Sequence, residues 1–218
     1  MKIAEQLYGF IWRDPRANNG NTYFIAGPPL ILIDPGHRHL FGQVEEELAR
    51  LSYKPEQMDI VLATHAHPDH LEGLFQFQEP TVTALGLEEY DFIKKTARRA
   101  GWDLGGENFE PGLLLKEGNL KLGDLHFRVL TTPGHSPGSI CLYWEDRKAL
   151  FTGDVIFNQG LGRTDLPGGD GEMLKLSIRR LAALDVEILL PGHGEVIIGK
   201  EAVQTNFRMV ADYWFNYI

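Results

Sequence analysis

The amino-acid sequence predicts an α/β layered fold. Two observations lead to this prediction. Short apolar runs of strand length alternate with segments whose apolar residues recur every three or four positions, and this alternation continues through the 218 residues. Sheets covered by helices produce such a pattern, because each element must bury one apolar face against another layer. The length fits one domain over residues 1–218.

Nine apolar runs predict the strands. Gly27, Pro28 and Pro29 follow the second run and predict a turn that joins it to the third in a hairpin. The predicted strands are residues 3–12, 22–26, 30–33, 60–63, 81–84, 127–131, 139–144, 149–152 and 188–190.

Helices are predicted where apolar residues occupy positions i, i+4 and i+7. Four segments show this spacing or a close variant. The apolar positions are Val44, Leu48 and Leu51; Tyr90, Ile93 and Ala97 in a helix over residues 85–100; Leu174, Ile178 and Leu181; and Val203, Phe207, Val210 and Trp214.

Composition and charge disfavour nucleic acid and membranes as partners. The net charge of −9 disfavours nucleic acid as a partner, because binding to a phosphate backbone depends on a basic surface. No run approaches eighteen apolar residues, so no membrane span is expected. The first ten residues lack the apolar core of a secretory signal, and Cys141 is the single cysteine. We therefore expect a cytoplasmic protein.

The strongest motif follows the predicted strand at residues 60–63. It places His65, His67, Asp69 and His70 within six residues. Pro68 cannot extend a strand ladder, so we expect these side chains in a loop at the strand end. Imidazole and carboxylate ligands suit zinc or iron. The segment therefore predicts a metal site.

Three further polar residues stand beside Gly or Pro near predicted strand ends. His135 lies in Pro-Gly-His, Asp154 in Thr-Gly-Asp and His193 in Pro-Gly-His. Each alone is compatible with an ordinary surface turn. Together with the first motif, they are better explained as one site assembled from several strand ends.

These residues resemble the metal-binding pattern of the metallo-β-lactamase superfamily. Asn21-Thr22-Tyr23 and residues 32–36 are similar to the N-terminal hairpin of that superfamily. The resemblance implies a four-layer αβ/βα sandwich of the metallo-β-lactamase type, with the metals at one edge. It also implies two divalent ions, most readily zinc, with iron or manganese as alternatives.

Within the superfamily, residues 162–169 and the Pro-Gly-His-Gly at residues 191–194 resemble the glyoxalase II group. That resemblance implies a hydroxyacylglutathione hydrolase-like enzyme whose metal-bound hydroxide attacks the carbonyl of a small-molecule thioester, for example a glutathione conjugate. The chain ends 25 residues after His193 and so resembles the shorter, single-domain relatives rather than full glyoxalase II with its extra helical domain.

The same resemblance implies a role for each ligand. His65, His67 and His135 hold one metal, and Asp69, His70 and His193 hold the second. Asp154 bridges both, and Asp69 also orients the hydroxide. Asp34 is a candidate to orient a ligand histidine, with an ordinary turn carboxylate as the alternative.

Other residues and reactions remain open. Arg163 is a candidate for binding a substrate carboxylate, and an ion pair with Asp165 is the alternative. His37 is predicted on the surface, and Cys141 inside a strand, where it would not act as a nucleophile. Rival reactions are an iron persulfide dioxygenase that uses His65, His135 and Asp154, and a lactonase that uses the same two metals. A binding module with an inactive site is disfavoured because all seven ligands are present.

Overall fold

The computed structural model describes the backbone of residues 1–100 and 109–218, and the side chains of residues 1–96 and 109–218. The chain divides into two compact units, Met1–Leu115 and Lys116–Ile218. Each unit has its own sheet and its own apolar core. The assignment of residues 1–218 to one domain stays a prediction.

The first unit contains a seven-stranded sheet whose spatial order follows the sequence. Its first four strands are antiparallel, and the remaining three continue parallel to the fourth. Parallel strands end at a common edge, and the metal-binding motif follows one of these ends. The strands are β1 (Lys2–Ala4), β2 (Leu7–Phe10), β3 (Thr22–Ala26), β4 (Leu30–Ile33), β5 (Ile60–Leu62), β6 (Val82–Gly86) and β7 (Leu113–Leu115).

In the described part of this unit, three α-helices accompany the sheet: α1 (Gly42–Arg50), α2 (Pro68–Leu71) and α3 (Leu87–Ala100). The core of the unit contains the apolar faces of α1 and α3 that the sequence predicts. Val44 and Leu48 of α1, with Tyr90 and Ile93 of α3, are buried with strand residues in one cluster. The side chain of Ala97, also predicted on that face, lies outside the described residues.

The second unit contains a six-stranded sheet and a separate two-stranded hairpin. The sheet strands are β8 (Gly118–Leu122), β9 (Leu125–Thr131), β10 (Ile140–Trp144), β11 (Ala149–Gly153), β14 (Ile188–Pro191) and β15 (Ile197–Ile198), and the hairpin strands are β12 (Ile156–Phe157) and β13 (Gly160–Leu161). The meander β8 to β11 is antiparallel, and β14 joins β11 in parallel.

Two helices, α4 (Gly171–Ala182) and α5 (Lys200–Trp214), complete the second unit. The α4 helix lies on the crossover that parallel strands require, here between β11 and β14. Asp170 caps it by accepting a hydrogen bond from the backbone N–H of Met173. The predicted apolar faces of both helices, for example Leu174 and Phe207, are buried in the core of this unit.

The single strand predicted at residues 3–12 is wrong. The chain instead folds back after β1, so that Ala4 pairs with Leu7 of β2. Gln6 makes the turn with a φ of 62°, in the left-handed region. Neither Gly nor Pro marks this turn, and the apolar pattern therefore runs on through it.

The strands that the sequence analysis missed are short or solvent-facing. In β8, no residue is fully buried, so its side chains carry little apolar signal. The β7, β12, β13 and β15 strands have only two or three residues each. Among the residues that the structure describes, no helix has the length and apolarity needed to cross a membrane.

Candidate metal centre

The first cluster of candidate ligands follows strand β5 of the first unit. His65 and His67 lie in the connection after that strand, as predicted. Asp69 and His70 instead belong to the short helix α2, which corrects the prediction that the whole motif is a loop. Pro68 is the first residue of that helix, where its fixed φ and missing N–H are tolerated.

The four side chains of this cluster converge. The Nε2 atom of His65 lies 3.1 Å from Nδ1 of His67. The rings of His65 and His70 have centroids 4.3 Å apart, and Nε2 of His70 is 3.9 Å from Oδ2 of Asp69. Asp69 and both of these histidines are buried. Imidazole nitrogens and a carboxylate oxygen are thus held within a few ångströms of each other.

Asp34 organises this cluster from the end of strand β4. Its Oδ2 atom accepts hydrogen bonds from Nδ1 of His70 at 3.0 Å and from Oγ1 of Thr64 at 2.9 Å. Its Oδ1 atom accepts the backbone N–H of Thr64 at 2.7 Å. Asp34 is 1% exposed and has a φ of 52°, which is unfavourable for a residue with a side chain. The predicted alternative in which Asp34 orients a ligand histidine agrees with these contacts.

These hydrogen bonds fix which nitrogen of each ring carries a proton. The Asp34 carboxylate can only accept, so neutral His70 is protonated on Nδ1 and carries its lone pair on Nε2. Thr64 donates its hydroxyl hydrogen to Asp34 and can therefore accept from Nδ1 of His65, 3.1 Å away. The lone pair of His65 then also lies on Nε2. Both histidines are prepared to bind a cation through Nε2.

Sequence reasoning missed two further residues that position this cluster. The Asn18 side-chain amide donates to Oδ2 of Asp69 at 2.6 Å. Oε1 of Glu89 accepts the backbone N–H of Ala66 at 2.9 Å, and Glu89 is 1% exposed. Both partners are remote in sequence, and neither belongs to a motif, so spacing could not reveal them.

The second cluster lies in the second unit. Oδ2 of Asp154 is 3.5 Å from Nε2 of His135 and 3.4 Å from Nε2 of His193. Asp154 follows β11 and His193 follows β14, and these two strands are parallel neighbours. The predicted strand-end placement therefore brings all three side chains of this unit together.

The backbone of the segment after β13 holds His135. Nδ1 of His135 donates to the carbonyl oxygen of Arg163 across 2.7 Å, which places the lone pair on Nε2. Gly162 makes this approach possible. A Cβ atom there would lie 1.8 Å from the carbonyl oxygen of Asp154 and 2.8 Å from Nδ1 of His135.

The Arg163 side chain itself pairs with Asp165. Its Nε and Nη2 atoms donate to the two carboxylate oxygens, each at 2.7 Å. Through this hydrogen bonding, Arg163 lowers the pKa of Asp165 to about 2. The pair is solvent-exposed. The alternative considered from the sequence, a pair that shapes the loop, thus agrees with these contacts, and a role in substrate binding stays a prediction.

Three other residues, Cys141, His126 and His37, have defined places. Cys141 is fully buried in β10, as predicted. His126 is exposed, on strand β9. His37 is half-buried rather than on the open surface, because it pairs with Glu72 at 2.9 Å.

The donor set of each unit fits divalent metal ions. At a tetrahedral zinc with Zn–N distances of about 2.0–2.1 Å, two ligand nitrogens lie about 3.3 Å apart, close to the 3.1 Å that separates His65 and His67. Imidazole and carboxylate ligands also suit iron. Glycines leave room around both clusters. A Cβ atom at Gly20 would lie 2.9 Å from the His70 ring. A Cβ atom at Gly162 would come similarly close to the His135 ring.

Comparison with known protein families identifies the family to which these ligand clusters belong. The profile of the metallo-β-lactamase superfamily matches residues 15–193, which include all seven candidate ligands. The chain belongs to the metallo-β-lactamase superfamily. It is therefore a metallo-hydrolase by family, and the resemblance inferred from the motifs is confirmed.

Relatives in the superfamily that are named for thioester hydrolysis include two that align over more than three quarters of this chain. A hydroxyacylglutathione hydrolase of Haemophilus influenzae is 36% identical over 180 residues, covering 78% of this chain and 82% of that protein. A human acyl-coenzyme A thioesterase is 32% identical in an alignment that covers 94% of this chain and 84% of that protein.

Solved structures confirm the superfamily fold. A B3 metallo-β-lactamase, BLEG-1, aligns with a TM-score of 0.71 and 29% identity, over 93% of this chain and 99% of that chain. A protein crystallised in a di-iron-bound form aligns with a TM-score of 0.69 and 29% identity, over 86% and 93% of the two chains. The predicted α/β fold of the metallo-β-lactamase type is thus correct.

Proposed function

We propose that this metallo-hydrolase cleaves small-molecule thioesters with the help of two divalent metal ions. The observation that carries the proposal is that hydrogen bonds orient the histidines of both ligand clusters to present Nε2 to a metal ion, through Asp34 in one unit and the Arg163 carbonyl in the other. The thioester part is supported by the two relatives named for that reaction.

The family pattern assigns the ligands in this proposal. His65, His67 and His135 hold one ion, Asp69, His70 and His193 hold the other, and Asp154 serves both. The position of Asp154 supports the shared role, because one of its oxygens lies within 3.5 Å of two imidazole nitrogens. Zinc is the proposed metal, and iron or manganese would suit the same ligands.

When bound, two such ions would supply activation of a water molecule and polarisation of a carbonyl oxygen. Other residues of the chain orient the metal ligands. Asp34 and Thr64 keep His65 and His70 in the tautomer that presents Nε2. Asn18 holds Oδ2 of Asp69 through its amide, so that the carboxylate keeps one orientation.

A thioester is a chemically reasonable substrate because its leaving group needs little assistance. A thiol has a pKa of about 8.5, so a thiolate can depart at neutral pH without a strong general acid. The nucleophile comes from water in this proposal, and Cys141 takes no part because it is fully buried. The thiol portion of the substrate is proposed to be glutathione or a similar small thiol.

Arg163 is the proposed contact for a carboxylate of the substrate. Its two parallel hydrogen bonds to Asp165 have the geometry that a guanidinium uses for a carboxylate ligand. Both side chains are more than half exposed, so a substrate carboxylate could take the place of Asp165. The Arg163 carbonyl would stay on His135 during this exchange.

The experiment that tests the proposal is a substrate panel on protein loaded with zinc, iron or manganese. The panel comprises lactoylglutathione, a short acyl-coenzyme A, an acyl lactone and glutathione persulfide. Thioester hydrolysis in the wild type that disappears in the Asp154→Ala and His67→Ala variants is the expected result, with His126→Ala as the control. Oxygen uptake with the persulfide would contradict the proposal and favour a dioxygenase. Hydrolysis of the lactone alone would contradict it and favour a lactonase.

A further inference from the structure

The first unit contains a further group of side chains of the types that bind metals, and none of them is among the seven candidate ligands. It consists of His37, His39 and Glu72, whose ligand atoms all lie within 4.8 Å of one another. Nδ1 of His37 is 2.9 Å from Oε2 of Glu72, and the rings of His37 and His39 have centroids 4.9 Å apart. We name this group the His-His-Glu cluster.

Backbone contacts hold the two segments of the His-His-Glu cluster together. The side-chain oxygen of Asn19 accepts the backbone N–H of His37 at 2.8 Å. The Gly36 carbonyl accepts the backbone N–H of Gly73 at 2.7 Å, directly beside Glu72. Gly36 has a φ of 81°, and a Cβ atom there would lie 2.7 Å from Asn19. The backbone at His37 therefore has a defined position relative to Glu72.

We propose that the His-His-Glu cluster binds a divalent transition metal ion, separately from the two ions of the hydrolytic site. Two imidazoles and one carboxylate suit zinc, copper and nickel. Ligand atoms of a tetrahedral zinc lie about 3–3.5 Å apart. The His37–Glu72 distance of 2.9 Å is close to this range. His39 is exposed, so its ring can turn inward without disturbing the core.

An ion pair between His37 and Glu72 explains only part of this arrangement. It accounts for one imidazole, but it leaves His39 facing His37 at ring-contact distance. A metal ion, in contrast, would use a lone pair from each of the two imidazoles. Glu72 also accepts the backbone N–H of Arg38 at 3.2 Å, which further restricts its carboxylate. The presence of His39 beside the His37–Glu72 pair is therefore what indicates a metal site.

The test measures zinc binding to the full chain after its hydrolytic site has been saturated with zinc. We compare wild type with His39→Gln and Glu72→Gln, using elemental analysis after equilibrium dialysis at a series of free zinc concentrations. The control is His126→Gln, since His126 is also an exposed histidine, 3.3 Å from a carboxylate oxygen of Asp146. Wild type and the control should bind one more zinc per chain than either cluster variant, or bind it about 100-fold more tightly.

Equal zinc binding by wild type and His39→Gln would overturn the proposal, and so would an equal loss in His126→Gln, which would indicate general binding by surface histidines. The result does not depend on the proposed reaction. A chain without thioesterase activity would still show the difference between the variants, and a chain with that activity but no difference would refute the His-His-Glu cluster alone.

Discussion

Asp34 and His70 are joined by a buried hydrogen bond of 3.0 Å between a carboxylate oxygen and Nδ1 of the imidazole. The same carboxylate receives both the backbone N–H and the hydroxyl of Thr64. One side chain thus orients both ends of the segment from Thr64 to His70. Its backbone stays in the left-handed region, and the three hydrogen bonds offset the cost of that conformation.

Replacing Asp34 should therefore weaken metal binding without removing a ligand. We expect Asp34→Asn to lower zinc affinity about 10–100-fold, because an amide cannot accept from all three donors and His70 loses its fixed tautomer. Competition with a chromophoric chelator measures the affinity. Asp59→Asn is the matched control, since Asp59 caps the backbone N–H of Leu30 and makes no histidine contact among the described hydrogen bonds. Equal affinities in the two variants would contradict this role.

Asp154 and His67 should be indispensable for hydrolysis if they bind the metals. We expect Asp154→Ala and His67→Ala each to lower kcat/KM for the best thioester by at least about 100-fold, because removing a ligand should cost no less than removing a residue that supports one. Circular dichroism checks that both variants still fold. Retention of wild-type activity in both would rule out the proposed mechanism.

Arg163 and Asp165 allow the two roles of Arg163 to be separated. If the guanidinium binds a substrate carboxylate, Arg163→Ala should raise KM for an acidic thioester about tenfold or more, while Asp165→Ala should lower it by releasing the guanidinium. The backbone carbonyl that holds His135 is present in both variants. Steady-state kinetics with an acidic and a neutral thioester measure the effect. If Arg163→Ala and Asp165→Ala change KM in the same direction, and equally for the acidic and the neutral thioester, the ion pair of Arg163 and Asp165 only shapes the loop.

The pair of Glu117 and Arg180 predicts a pH dependence of stability in the second unit. Hydrogen bonds, chiefly from Arg180 and then from Thr131, lower the pKa of Glu117 from 4.5 to about 2. A lowered pKa stabilises the fold above pH 4.5, and this contribution is lost as the pH falls toward 2. Because both side chains are nearly half exposed, we expect Glu117→Gln to cost about 1 kcal/mol or less at pH 7.

Urea unfolding from pH 7 to pH 3 measures this difference, which should narrow below pH 4.5. The matched control is Glu172→Gln, which removes an ion pair between the exposed Glu172 and the mostly buried Lys175 within α4 and should cost only about 0.2–0.5 kcal/mol. A cost for Glu117→Gln that is constant over the whole pH range would disagree with the lowered pKa.

The sequence predicted those parts of the fold and site that depend on local pattern. The apolar spacing of Leu174, Ile178 and Leu181 identified a helix that does bury that face. The Gly and Pro beside His135 and His193 marked strand ends, which the structure confirms. These signals work because a helix period, or a residue that terminates a strand, is visible within a few positions.

The remaining features depend on contacts between residues distant in sequence. Glu89 supports the loop of Ala66 from 23 positions away, and His37 meets Glu72 from 35 positions away. No spacing rule links such pairs, because the fold alone brings them together. The turn at Gln6 was missed for another reason: a residue with an ordinary side chain there adopts a φ that usually requires Gly or Asn.

The burial of Cys141 has a consequence for the proposed release of a thiol product. Exchange between a thiol and a disulfide requires direct attack on sulfur, and the only sulfur of this kind in the chain is fully enclosed within β10. Mixed disulfides with a released product, and covalent cross-linking of two chains through cysteine, are both blocked while the fold is intact. The protein should therefore tolerate oxidised glutathione, and it should become reactive toward thiol-specific reagents only on unfolding.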